Sequence, residues 1–244
     1  MNLFKSSSEL KSIAKGNLLG KYGTAISAFV VVELIVFFIQ FLFSGLLNTD
    51  TLFGAIVYYC VMLIMQLLAA IFALGQSRLY LNMACNFKYG VGDVFYGFTI
   101  HPDKVIVIQF LLLLMETACV LPSLLFYYLY LTTNQPILML LISTFAVIGG
   151  IAVCVIMLTY SQVNYLILDF PQYSALEIMK LSKKLMKGYK GKLFYLVISF
   201  LPICILALFT CCIGYLWVIP YINATYSQFY LELIRVKSAP NTTA

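Results

Sequence analysis

Apolar runs of about twenty residues recur along this chain, and they limit its possible folds more than any other feature. A run of that length crosses a hydrocarbon core about 30 Å thick as a single helix. The runs lie at about residues 22–43, 52–74, 105–130, 137–168, 193–212 and 218–233. Of 244 residues, 63% are hydrophobic and 10% are charged, whereas a soluble domain carries about 25% charged residues. One buried core cannot absorb that excess, but membrane spans account for it directly. The expected class is all-α: a polytopic transmembrane helical bundle of about six helices, with amphipathic interfacial helices on the cytoplasmic side. Residues 1–237 form one integral membrane domain in this reading, and 238–244 a disordered tail.

All fifteen Lys and Arg residues fall in four polar segments. These are the N-terminal stretch 1–21, the connection 76–104, the stretch between the fourth and fifth runs, and the chain end at Arg235 and Lys237. The other three turns have none; the first of them, Ser44 to Thr51, holds Asp50. Basic residues beside spans are retained in the cytoplasm, so six crossings place the four basic segments and both termini on the cytoplasmic side of the plasma membrane. No cleavable signal pattern is evident, and the first run is expected to stay as an anchor. The net charge of +6 reads as attraction to anionic lipid headgroups, and no charge run resembles a nucleic-acid footprint.

The basic stretch after the fourth run is patterned. Asp169-Phe170-Pro171 breaks the helix, and an amphipathic segment follows over 174–190. Ser174 and Glu177 have capping-box spacing, and Gly188 sits where a helix would stop. Ala175, Ile178, Met179, Leu181, Leu185 and Met186 share one face. Lys180, Lys183, Lys184 and Lys187 gather opposite and are the candidate lipid-surface residues. The segment either rides on the membrane surface or docks a cytoplasmic partner. Ser6 and Glu9 repeat the capping spacing ahead of Leu10, Ile13, Ala14 and Leu18, which predicts a second short interfacial helix.

Two carboxylates lie near the middle of runs, Glu33 in the first and Glu116 in the third. A charge at mid-membrane costs about 2.5–3.5 kcal/mol on insertion scales, and no Lys or Arg lies in the runs to offset it. The solutions are a neutral carboxyl, a hydrogen-bonded carboxyl pair or a bound cation. As function, the pair would be a proton or cation relay; as plain structure, each would be a neutral carboxyl satisfied by polar neighbours. Tyr160, Gln162 and Asn164 on the fourth helix, with Asn223 and Tyr226 on the sixth, are candidates for a polar cavity. They equally suit interhelical glue, at about 0.6 kcal/mol each.

No catalytic constellation is found. His101 is the sole histidine, which excludes a multi-histidine metal site. Nucleophile-elbow, zinc-protease and phosphate-loop motifs are missing from the sequence. Of seven cysteines all but Cys85 fall in apolar runs, with no Cys-x-x-Cys spacing, so they read as small apolar side chains. No cofactor, metal or enzyme activity is expected.

Several stretches carry a family resemblance: Ser77-Arg78-Leu79-Tyr80-Leu81-Asn82, Phe95-Tyr96-Gly97-Phe98, Asp169-Phe170-Pro171, Ser174-Ala175-Leu176-Glu177 and Leu185-Met186-Lys187-Gly188. Gly214-Tyr215-Leu216-Trp217-Val218-Ile219-Pro220-Tyr221 and Phe229-Tyr230 complete the series. In order and spacing they resemble a bacterial integral-membrane family, domain of unknown function 975 (DUF975), over nearly the whole chain. The resemblance implies a polytopic bacterial membrane protein and brings no catalytic residues. The leading expectation is a non-enzymatic accessory or scaffold of the plasma membrane, acting through lipids or other membrane or envelope proteins. The alternative is a small proton- or cation-coupled transporter using Glu33 and Glu116.

Overall fold

The computed structural model describes residues 4–44 and 51–238. The turn holding Asp50 and the tail after Ser238 lie outside the described residues. Every regular element among those described is helical. Helix α1 (Ser7–Leu18) starts from the expected capping box, in which Glu9 N–H donates to Ser6 Oγ and Ser6 N–H to the Glu9 carboxylate. It turns at Gly20, whose φ of +75° suits glycine, into α2 (Tyr22–Ser44).

Helix α3 (Leu52–Ala84) runs well past Leu74, where the apolar stretch was expected to end. Its last turns are polar on one side only; Leu79, Tyr80 and Met83 are buried on the other, and that apolar stripe carries the helix onward. A 3₁₀ turn (Val91–Phe95) and the short α4 (Tyr96–Thr99) then lie back across α3. Two glycines permit the approach. A Cβ on Gly75 would stand 2.2 Å from the Val94 carbonyl oxygen, and one on Gly97 would stand 2.5 Å from that of Ile71.

Helices α5 (Pro102–Thr133) and α6 (Pro136–Tyr160) form an antiparallel hairpin with close contact along their length. At Gly149 the backbones come so near that a Cβ would be 2.6 Å from the Cys119 carbonyl oxygen, the small-residue packing that membrane helices use. Helix α5 continues through Pro122. The fourth run is interrupted at Ser161-Gln162, and its end is a separate α7 (Val163–Asp169). Then come α8 (Ala175–Leu185), α9 (Lys190–Ile198), α10 (Leu201–Phe209) and the long α11 (Tyr215–Ser238). The fifth run is thus two helices, parted at Ser199-Phe200. Gly188, with φ +86°, makes the turn after α8.

The core is concentrated at one end of the molecule. Its largest cluster joins Phe4 and Leu10, the whole apolar face of α8, and Phe229, Tyr230 and Leu233 of α11. Lysines tie the four basic segments together there. Lys21 Nζ donates to the Met83 carbonyl (3.1 Å), Lys104 Nζ to that of Pro171, and Lys237 Nζ to that of Lys184 (3.4 Å). Lys5 closes the circle, its backbone N–H reaching Glu232 Oε1 at 2.8 Å. Away from this end, α2, α5 and α6 expose Leu34, Phe37, Phe38, Leu124, Leu125, Ile148 and Ile151. Apolar surface this continuous is unfavourable in water and neutral in hydrocarbon. Among the described residues, five stretches are long and apolar enough to cross a membrane: Tyr22–Phe43, Leu52–Ala84, Pro102–Thr133, Pro136–Asp169 and Lys190–Phe209.

Candidate functional site

The break between α6 and α7 opens a polar space inside the helix bundle. Ser161 Oγ donates to the Leu158 carbonyl at 3.0 Å, a side-chain bond of the kind that competes with helix continuation. The chain bends there, and a cavity of about 190 Å³ opens between this break, α3 and α11. Ser161, Asn164 and Tyr165 line one wall and Asn223 and Tyr226 another. Gln76, Ser77 and Tyr80 of α3, with Ala73, complete it.

Three of the five sequence candidates, Asn164, Asn223 and Tyr226, therefore share one cavity. Gln162 does not line it but is fully buried behind Ser161, donating from Nε2 to Ser161 Oγ at 2.9 Å. Its Oε1 is buried and accepts no hydrogen bond among the described residues. Tyr160 instead packs against the apolar core. The α3 wall lies outside these candidates, because in the sequence Gln76 opens the polar connection 76–104. Its residues 73, 76, 77 and 80 follow helical spacing, the signal that could have found them. The lining is hydrogen-bonding and uncharged. It can hold waters, each taking about 30 Å³, or a small neutral solute, and it holds no nucleophile–base pair.

The two carboxylates are elsewhere. Glu33 is exposed on the outer face of α2, and Glu116 is partly exposed on α5. Neither has a hydrogen bond or ion pair among the described residues, and neither lines the polar cavity.

At the cationic end α8 is mounted rigidly. Ile178, Met179, Leu185 and Met186 are buried in the main core, and Ala175 and Leu181 pack against it. Ser182 is buried too, its hydroxyl donating to the Thr159 carbonyl at the end of α6 (2.8 Å). The apolar face is thus covered by the bundle, while Lys180, Lys183, Lys184 and Lys187 are exposed. Glu177 caps the helix, and the Ser174 backbone and hydroxyl bonds hold its carboxyl below the usual range.

Further contacts of charged groups hold this end together. Arg78 pairs with Asp93 at 3.5 Å and lies 3.4 Å over the Tyr96 ring. The Tyr230 hydroxyl donates to Asp169 Oδ2 at 2.5 Å, with the Tyr230 ring stacked on Tyr165. Glu232, 3% exposed, accepts from Arg235 Nε and Nη2 at 2.9 and 2.6 Å. Lys11 Nζ donates to the Ser199 carbonyl at 2.8 Å and sits over the Phe200 ring; burial lowers the pKa of its ammonium.

Comparison with known proteins adds a family and nothing closer. A family model described as "Protein of unknown function (DUF975)" matches residues 1–237. No curated protein and no solved structure matches the chain.

Proposed function

The chain belongs to the DUF975 family, and from that premise we propose a six-span protein of the bacterial plasma membrane with both termini in the cytoplasm. It acts without catalysis, as an accessory whose cationic end engages anionic lipid headgroups or other membrane proteins. Helix α11 is the sixth crossing in this reading. It is not among the five most apolar stretches, but a helix enclosed by α1, α2, α3 and α10 need not be apolar all round. Its 24 residues extend about 36 Å. The bond between Lys5 and Glu232 brings the first and last segments to one end, which favours an even number of crossings.

The observation that carries the lipid role is the mounting of α8. Its apolar side is occupied by the bundle, so the lysine side is the part left to meet anything else. The test is thermal unfolding in vesicles of phosphatidylcholine, with and without phosphatidylglycerol. The anionic lipid should raise the midpoint of the wild type, and changing Lys180, Lys183, Lys184 and Lys187 together to Gln should remove that gain. An equal gain in both proteins would defeat the lipid role.

A second reading, a small proton- or cation-coupled transporter, draws on the uncharged cavity at the α6–α7 break and on Glu33 and Glu116 within the spans. Broken helices around polar cavities recur in transporters. Loss of proton-linked uptake in Glu33→Gln or Glu116→Gln vesicles, with the fold retained, would favour it over the accessory role.

A further inference from the structure

A second cavity, of about 610 Å³, opens at the cationic end between the N-terminal segment, α9 and α11. Lys5, Lys192 and Arg235 line it with one carboxylate, Glu9. That carboxylate is committed to the α1 capping box. Glu232, behind the wall, is shared by Arg235, the Lys5 backbone and, at 3.9 Å, the Lys5 ammonium, so three cations stand against two carboxylates and a net positive charge remains. Lys192 is positioned by rings, 4.4 Å from the Phe4 centroid and 5.3 Å from that of Tyr189. A cation held over ring faces keeps its N–H donors available to an anion.

The cavity also borders a membrane-facing surface. Tyr195 is one of its walls, and Tyr195, Ile198 and Leu201 are exposed on the stretch Lys190–Phe209, which is apolar enough to span. A ligand with a phosphate in the cavity could therefore continue into hydrocarbon along α9. Basic pockets at the cytoplasmic ends of membrane helices suit such headgroups.

We propose that this cavity is a phosphate-binding site, with Lys5 and Lys192 as its principal cations, that takes the headgroup of an anionic phospholipid. The proposal rests on the cytoplasmic placement of this end but not on the α8 lysines. The experiment titrates the purified full chain, in a neutral detergent, with short-chain phosphatidylglycerol, short-chain phosphatidylcholine and inorganic phosphate.

Saturable phosphatidylglycerol binding should weaken by about tenfold or more in Lys5→Gln/Lys192→Gln, given about one lysine–phosphate attraction lost per substitution. It should be restored in Lys5→Arg/Lys192→Arg and unchanged in the α8 quadruple Gln variant. Binding of the glycerol lipid that inorganic phosphate cannot displace assigns the site to lipid; full displacement assigns it to the free anion. Equal binding of phosphatidylcholine and phosphatidylglycerol, or undiminished binding in a folded Lys5→Gln/Lys192→Gln protein, would overturn the proposal. Loss of binding only in the α8 variant would place lipid recognition on α8 and leave this cavity without a role.

Discussion

The Ser182 hydroxyl donates to the carbonyl oxygen of Thr159 across a fully buried contact of 2.8 Å. One side of that bond is the amphipathic α8, and the other is the last turn of α6, where the fourth apolar run breaks. It settles what the apolar face of α8 is for in this fold: it faces the bundle. Ser182→Ala removes the donor and is expected to lower stability by about 1 kcal/mol. Ser182→Leu, forced into a site with no spare room, should cost more, about 1–3 kcal/mol from overpacking alone. Thermal unfolding in detergent checks the order; a Leu variant as stable as the Ala variant would show that α8 is loosely docked.

Glu232 offers a test at the other side of the same core. Its carboxylate is almost wholly enclosed and accepts from Arg235 and from the Lys5 backbone. Hydrogen bonds to a charged group contribute about 1.5–3 kcal/mol, so Glu232→Ala should destabilise by roughly 2 kcal/mol. It should also free the N-terminal segment, seen as faster proteolysis ahead of α1. Unchanged cleavage would mean that Phe4 packing alone holds that segment.

The contact of α3 with the 3₁₀ turn is set by glycine. Gly75→Ala places a methyl 2.2 Å from a backbone oxygen, and Gly97→Ala places one 2.5 Å from another. Neither neighbour is a flexible side-chain end, so the backbone must move. Both variants should lose folded yield, while Gly23→Ala, which meets nothing within 4 Å, should not. Size-exclusion profiles of the three proteins compare them directly.

The pH dependence of α8 follows from its cap. The Glu177 carboxyl is held below its ordinary range by bonds from Ser174. A group whose folded pKa is lowered stabilises the fold above its unfolded pKa and loses that contribution as pH falls through the folded one. Amide exchange in the first turn of α8 should therefore accelerate, beyond the chemical trend, as the pH falls below the ordinary glutamate range. Glu177→Gln should flatten that dependence. An identical profile in both proteins would assign the change to another group.

Much of this architecture could be read from residue order. Ser6/Glu9 and Ser174/Glu177 gave both capping boxes, because the cap is a local arrangement of four residues. Gly188 marked the stop after α8 for the same reason. The apolar runs located the five strongest candidate spans. What could not be read was whatever depends on partners far along the chain. The apolar stripe that carries α3 through Leu79 and Met83 is filled by residues of α1, the 3₁₀ turn and α11, among them Ala14, Val94 and Ala224. Asn164, Asn223 and Tyr226 were legible as polar residues in apolar runs, but their meeting with Gln76, Ser77 and Tyr80 was not. Glu33 and Glu116 drew notice for their cost in hydrocarbon, yet cost alone says nothing about which way a helix turns.

Helix α1 buries Leu10, Ala14 and Leu18 chiefly through its packing beside α11 and α3. The earliest helix made is thus completed by the latest. During synthesis its apolar stripe stays uncovered until more than two hundred further residues have been added, and a chain cut short before α11 would carry an open seam where the finished protein has a buried one. Such fragments should be the ones that membrane quality-control proteases recognise first.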